Sequence, residues 1–331
     1  VVLAFLKTNL ADLANHYHAQ YQDRRLSKKK QENYQEAIHW YREFLASFPE
    51  DEQAPGLNFQ LAGLMLENKD FRDAALEYER TAYNFPPHDK SAEAGYAAVF
   101  AYREFLKAAP PSDHVIIKRE IIRSSLKFVE VFPEHSNAAV VLAAATDDLY
   151  ELKDYPLAVK TGRQLIEQYP SADAKLLRSA WLVVAHASFD MTEYSDAEAA
   201  YIKVIAMTDP KDSSRAKLTE NLAASIYKQG EQASLLEKHR EAADHYLRVA
   251  VVTPTAKIRP NADYDAAAAL IILKDWPAAA KVLESFRSNF PKHKLQPEIT
   301  KKLAIVYKED GKLAQAAAEF ERIESETDND E

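Results

Sequence analysis

Asp70–Pro86, DFRDAALEYERTAYNFP, is a short helix bracketed by its own start and stop signals. Asp70 suits the cap position. Ala74 and Ala75 admit a close neighbour, Leu76, Tyr78, Thr81 and Ala82 supply apolar stripes, and Phe85-Pro86 ends the run. A helix this short cannot bury its apolar face alone, whereas stacked copies of it can. Copies recur along the chain.

They are counted by one anchor, a small or apolar residue twelve positions ahead of the closing Pro or its equivalent. The anchors are Ala37, Ala74, Ile121, Ala158, Ala197, Ala242, Ala279 and Ala316, separated by 37, 47, 37, 39, 45, 37 and 37 residues. Four equal spacings out of seven mark a true repeat. An aromatic usually sits three before the anchor (Tyr34, Phe71, Tyr155, Tyr194, Trp276), and a bulky residue four after it (Tyr41, Tyr78, Tyr201, Tyr246, Leu283, Phe320). Pro49, Pro86, Pro133, Pro170, Pro210, Pro254 and Pro291 close the units, because proline lacks the backbone donor a helix needs to continue. Ahead of the anchors run partner helices with small residues at the crossing, as in Leu61-Ala62-Gly63, Val184-Ala185 and Leu303-Ala304, so each unit is a helix hairpin.

Composition agrees. Only 6 of 331 residues are Gly, the chain is rich in helix formers, and almost no strand is expected. A net charge of −9 from 42 Lys+Arg and 51 Asp+Glu argues against general affinity for nucleic acid. The absence of Cys excludes thiol nucleophiles, disulfides and zinc-thiolate sites within the chain. His16 and His18 lie two apart, on different faces of a helix, and His239 and His245 lie six apart, so neither pair chelates one metal. No HExxH, phosphate-cradling glycine loop or GxSxG elbow is present. No catalytic residue, metal or cofactor is expected.

The hairpins resemble the tetratricopeptide repeat (TPR) family. Leu303, Ala304, Tyr307, Gly311, Ala316 and Phe320 occupy the motif positions in the last unit, and Trp181, Val184, Ala185, Tyr194, Ala197 and Tyr201 do so in the fifth. The resemblance implies an all-α, right-handed superhelical solenoid of about eight hairpins over residues 31–325. Residues 1–30 form a leading helical segment, with helix over 8–30 and a basic end at Arg24, Arg25 and Lys28–Lys30, and 326–331 an acidic tail. The period of 37 is longer than the family's usual 34. With the Phe-Pro and Tyr-Pro closings, it is similar to the repeats of bacterial envelope proteins, the outer-membrane β-barrel assembly lipoprotein and the periplasmic coordinator of the Tol–Pal system among them. That similarity implies a periplasmic or outer-membrane-associated protein; a cytoplasmic adaptor is the alternative. The opening Val1–Leu6 is apolar, lacks Met and is too short to cross a bilayer, so it reads as the cut edge of a longer protein, with any signal peptide or lipid anchor upstream.

Two units are stretched. Ala108–Asp113 carries a double proline, with Ser112 or Asp113 as cap, and Gln229–Leu236 is expected to lengthen both helices of its hairpin; both stretches are natural partner contacts or curvature-setting sites. In the family the first helices line the concave face. Carrying those positions over points to Phe59 and Gly63; Tyr96, Phe100 and Arg103; Asp147 and Tyr150; Leu182, His186 and Phe189; Glu220 and Tyr227; Tyr264 and Ile271; and Lys301 and Lys308. The aromatics Phe59, Tyr96 and Tyr264 either form a ladder that grips a peptide or pack between hairpins, and Arg103, Lys301 and Lys308 either meet acidic groups of a ligand or are solvated. The expected function is a non-catalytic scaffold for a protein or peptide partner, or else a spacer between domains of a larger protein.

Overall fold

The computed structural model describes residues 2–328, with backbone alone for 325–328. Among these residues sixteen α-helices follow one another: α1 (Val2–Gln22), α2 (Lys30–Ser47), α3 (Ala54–Glu67), α4 (Phe71–Tyr83), α5 (Ser91–Ala108), α6 (His114–Val131), α7 (Ala138–Glu151), α8 (Tyr155–Gln168), α9 (Ala174–Asp190), α10 (Tyr194–Ala206), α11 (Ser214–Leu235), α12 (His239–Val252), α13 (Arg259–Ile272), α14 (Trp276–Asn289), α15 (Gln296–Glu309) and α16 (Leu313–Asp328). Consecutive pairs make eight hairpins, every anchor falls on a second helix, and the chain is all-α as its composition implies.

The turn inside a hairpin has one recurring geometry. Lys69, Lys153, Thr192, Glu237, Lys274 and Gly311 all sit at positive φ, between 56° and 74°, just after the first helix. At the second hairpin the Lys69 N–H donates to the Leu66 carbonyl (3.0 Å) and the Asp70 N–H reaches back to that of Met65 (2.9 Å). These bonds satisfy carbonyls that a helix end otherwise leaves open, and they reverse the chain within three residues. Asp154 and Asp275 then cap the second helices through Leu157 N–H and Ala278 N–H. Asp70 does not cap: its carboxylate accepts from the Tyr34 hydroxyl of the preceding hairpin and from Asn68 Nδ2 at 3.0 Å. The side chain that marked the helix start is drawn into a cross-hairpin contact instead.

Between hairpins the closing aromatic is the cap residue. Phe48, Phe132, Tyr169 and Phe290 each donate their N–H to the residue four before, at 2.8–3.0 Å. Phe48, Phe132 and Phe290 also lay their rings 5.2–5.9 Å from Phe44, Phe128 and Phe286. The proline that follows prevents another turn of helix.

The chain divides into two compact units between Ala172 and Asp173, hairpins one to four and five to eight. The first unit is built around Tyr41, Phe44, Leu61, Met65, Tyr102 and Ile121; a second-unit cluster centres on Leu283, Phe286, Leu303 and Val306. Asn58, fully buried, donates to Glu77 O (2.7 Å) and Thr81 Oγ1 (2.8 Å), which ties α3 to α4.

Several expectations are corrected. The leading segment is not a single helix: α1 stops at Gln22, where Asp23 accepts from Arg25 backbone and guanidinium, and Arg24–Lys29 is a 3₁₀ turn. Leu10, Ala14 and Tyr21, on one side of α1, are buried, and α1 pairs with α2, so this segment supplies the first helix of the first hairpin. Leu76 is exposed, since α4 buries the Ala74, Ala75, Tyr78, Thr81 and Ala82 side. Neither Ser112 nor Asp113 caps α6; the Ser112 hydroxyl donates to Asp113, and the insertion is absorbed by lengthening both α5 and α6 to 18 residues. In the sixth hairpin only α11 lengthens, to 22 residues, while α12 keeps 14. Helix α16 runs to Asp328, and residues 329–331 of the acidic tail lie outside the described residues.

Candidate partner-binding face

The first-helix positions follow one register in each hairpin, and the structure sends their side chains to different ends. In the first unit Phe59 is half-buried, edge-on to Tyr78 of α4 at 5.3 Å and below Lys90 Nζ at 5.6 Å. Gly63 faces the same Tyr78, whose hydroxyl would lie 3.6 Å from a Cβ placed there. These two build the hairpin wall. Tyr96 stacks on His135 at 5.7 Å and leans on Phe128, yet keeps an exposed edge. Phe100, one turn on, is 46% exposed.

Arg103 donates to Asp148 Oδ2 at 2.9 Å, and Lys118, 3.9 Å from the other Asp148 oxygen, also pairs with Glu151. The guanidinium is therefore tied to a buried carboxylate of the next hairpin. Asp147 is exposed, and Tyr150 packs on Tyr155 across its turn at 5.5 Å.

In the second unit Leu182 is half-buried, His186 lies 5.6 Å from Tyr201, and Phe189 is edge-on to Tyr194 at 5.1 Å. Burial pushes the His186 pKa down, favouring the neutral ring. Glu220 accepts the Lys257 backbone N–H on both oxygens at 3.1 Å. The Tyr227 hydroxyl donates to Asp265 Oδ2 at 2.5 Å, which joins α11 to α13. Burial with that carboxylate beside it raises the Tyr227 pKa. Tyr264 lies under Lys302 Nζ at 4.9 Å, and Ile271 packs against the core cluster. Lys301 pairs with Glu298 of its own helix at 3.1 Å, and Lys308 is exposed.

Most of the sixteen positions are thus occupied in joining helices to one another. Tyr96, Phe100, Asp147, Lys301 and Lys308 keep exposed surface. Two apolar side chains outside the motif positions share these stripes: Val140, seven before Asp147, and Ile305, between Lys301 and Lys308, are both exposed. Their spacing of seven, and of four and three, is the signal that identifies them. Among the described residues no three His, Asp or Glu side chains gather as a metal site, and no helix is long and apolar enough to cross a membrane.

Neither a family model nor a curated protein matches the chain. Solved structures do. A tetratricopeptide repeat protein from Parabacteroides merdae is 13% identical over 88% of this chain and 99% of its own, with a TM-score of 0.33. The C-terminal part of a TPR repeat-containing protein from Cytophaga hutchinsonii is 15% identical over 83% and 96%, with a TM-score of 0.35. The TPR2AB domain of yeast Sti1, in a complex with pHSP90, is 15% identical over 77% and 99%, with a TM-score of 0.28. The likeness is one of fold.

Proposed function

We propose that this chain is a non-catalytic scaffold that holds a protein or peptide partner against the first helices of its hairpins, in the assembly of a bacterial cell envelope. The observation that carries the reading is on α5, where Tyr96 and Phe100 stand one turn apart with exposed rings while Ala94, Ala98, Ala101 and Tyr102 bury the opposite side. Exposed aromatic surface is costly in water at roughly 25 cal/mol per Å², and two such rings in register suit a partner's apolar side chain. On α15, Lys301, Ile305 and Lys308 repeat the pattern with cations at the rim. The envelope setting is supported by the 37-residue spacing and the Phe-Pro and Tyr-Pro closings.

A photo-crosslinking amino acid at position 100, compared with one at the exposed second-helix position 76, tests the binding face in cells. Adducts from 100 and none from 76 are expected; equal yields, or none, count against this face. Fractionation of the full-length protein tests the compartment, and recovery with soluble cytosolic markers refutes the envelope assignment. A spacer is favoured by a different observation, the packing of Phe59 on Tyr78 and of Tyr264 under Lys302, and it gains if position 100 yields nothing.

A further inference from the structure

First helices that end at a positive-φ turn mostly close on a carboxylate: Glu67, Glu151, Asp190 and Glu309 are the last residues of α3, α7, α9 and α15. Two adjacent hairpins break the pattern, with Leu235 ending α11 and Ile272 ending α13. Leu235 is 84% exposed, and Leu236, Ile272 and Leu273 are 68%, 58% and 38% exposed. None of the four is in the core.

Leu236 and Leu273 border two hollows on either side of α12, and Leu235 and Ile272 precede them in the chain, outside the hollow walls. One, of about 490 Å³, is walled by Leu236, Ala233 and Tyr194. The other, of about 580 Å³, is walled by Leu273. Glu241 and His245 of α12 line both, so the helix forms a ridge with a leucine on each flank. The cations here are already answered: Arg240 by Asp275 at 2.8 Å, Lys238 by Glu241 at 3.1 Å, and Arg248 by Glu198. Glu193, Glu237 and Asp244 remain as exposed carboxylates, against Lys274 on the neighbouring turn.

We propose that the turn edge of the sixth and seventh hairpins, with Leu235, Leu236, Ile272 and Leu273 around α12, docks a basic amphipathic helix of a partner protein. Apolar side chains one or two turns apart on that helix enter the two hollows, and flanking Lys or Arg meet Glu193, Glu237 and Asp244. An apolar patch with a polar rim is the usual mark of such a surface, and here, with Arg240, Lys238 and Arg248 paired, three exposed carboxylates against Lys274 leave the rim acidic. None of its residues belongs to α5.

The test is the double variant Leu235→Glu, Ile272→Glu, which restores the acid that α3, α7 and α15 carry at this position, so the variant is expected to keep its fold. The probe is a synthetic 18-residue Leu/Lys amphipathic helix, with two controls in which Leu is replaced by Ala or Lys by Glu, measured by fluorescence anisotropy on the intact chain. The Leu/Lys peptide should bind the wild type and bind the variant at least tenfold more weakly, even though the variant is more acidic; both control peptides should also lose at least tenfold. Equal binding to both proteins shows unspecific charge attraction and overturns the proposal, as does no binding at all. A concentration-dependent dimer in sedimentation that the variant abolishes would assign the surface to a second copy of this chain and overturn it too. Phe100→Ala should leave this binding unchanged, which separates its failure from that of the α5 face.

Discussion

Asp263 sits on α13 at the position that Asn58 holds on α3, four residues before the first of the small crossing residues Ala267 and Ala62. Both are buried, but the Asn58 amide finds two acceptors while the Asp263 carboxylate has Arg259 Nε at 3.7 Å. Burial raises the Asp263 pKa to about 6, with Arg259 pulling the other way. A carboxyl that binds its proton more tightly in the folded state weakens the fold as pH rises from about 4 to above 6. Asp263→Asn should therefore gain on wild type by about 2 kcal/mol between pH 4.5 and pH 7.5, at about 1.4 kcal/mol per unit of the shift that opens over that range. Urea midpoints at the two pH values check this; a gap that narrows toward neutral pH refutes it. None of this was legible beforehand. An Asp in an Ala-rich helix looks like any surface acid until the neighbouring helix closes over it.

The recurrent turn sets the behaviour of the helical elements. Five of its six positive-φ residues have a side chain, and Thr192 is β-branched, which makes φ 63° especially unfavourable. Thr192→Gly is expected to raise stability by about 1 kcal/mol or more, and Lys153→Gly by somewhat less, whereas Gly311→Ala should cost about 1 kcal/mol. Thermal melts of the three variants show whether the signs are as stated. The closing prolines and the small crossing residues announced the hairpins because both act locally, one by removing a donor and the other by allowing close approach. The turn itself was poorly marked, because a single Gly among six such positions leaves only polar residues to read. The sixth hairpin shows the same limit: its insertion was visible, but not that α11 alone would take it up. Gly230 is part of that outcome, since a Cβ there would lie 2.6 Å from the Tyr246 ring.

At the scale of the whole molecule stability should behave as a sum over neighbouring hairpins within each unit. Phe286 is fully buried in the seventh hairpin, between Phe290 and His293 rings at 5.2 and 5.4 Å. Phe286→Ala should cost about 3–5 kcal/mol. Hydrogen exchange should then quicken most in α13–α16 and progressively less through α12 to α9; a uniform rise across those helices would mean the unit opens as one block.

The sequence by itself determined an all-α array, the eight second helices and the residues at which each closes, since periodicity, proline and small-residue spacing act within one hairpin. Tertiary structure alone decided which side chains at equivalent positions are used up and which stay open. Phe59 and Phe100 look alike in the chain, as do Arg103 and Lys308. Their fates depend on Tyr78, Asp148 and other groups brought in by a second helix or the next hairpin. Burial and ion pairing are properties of those neighbours, and no position in a repeat states in its own letters what the adjoining copy will place against it.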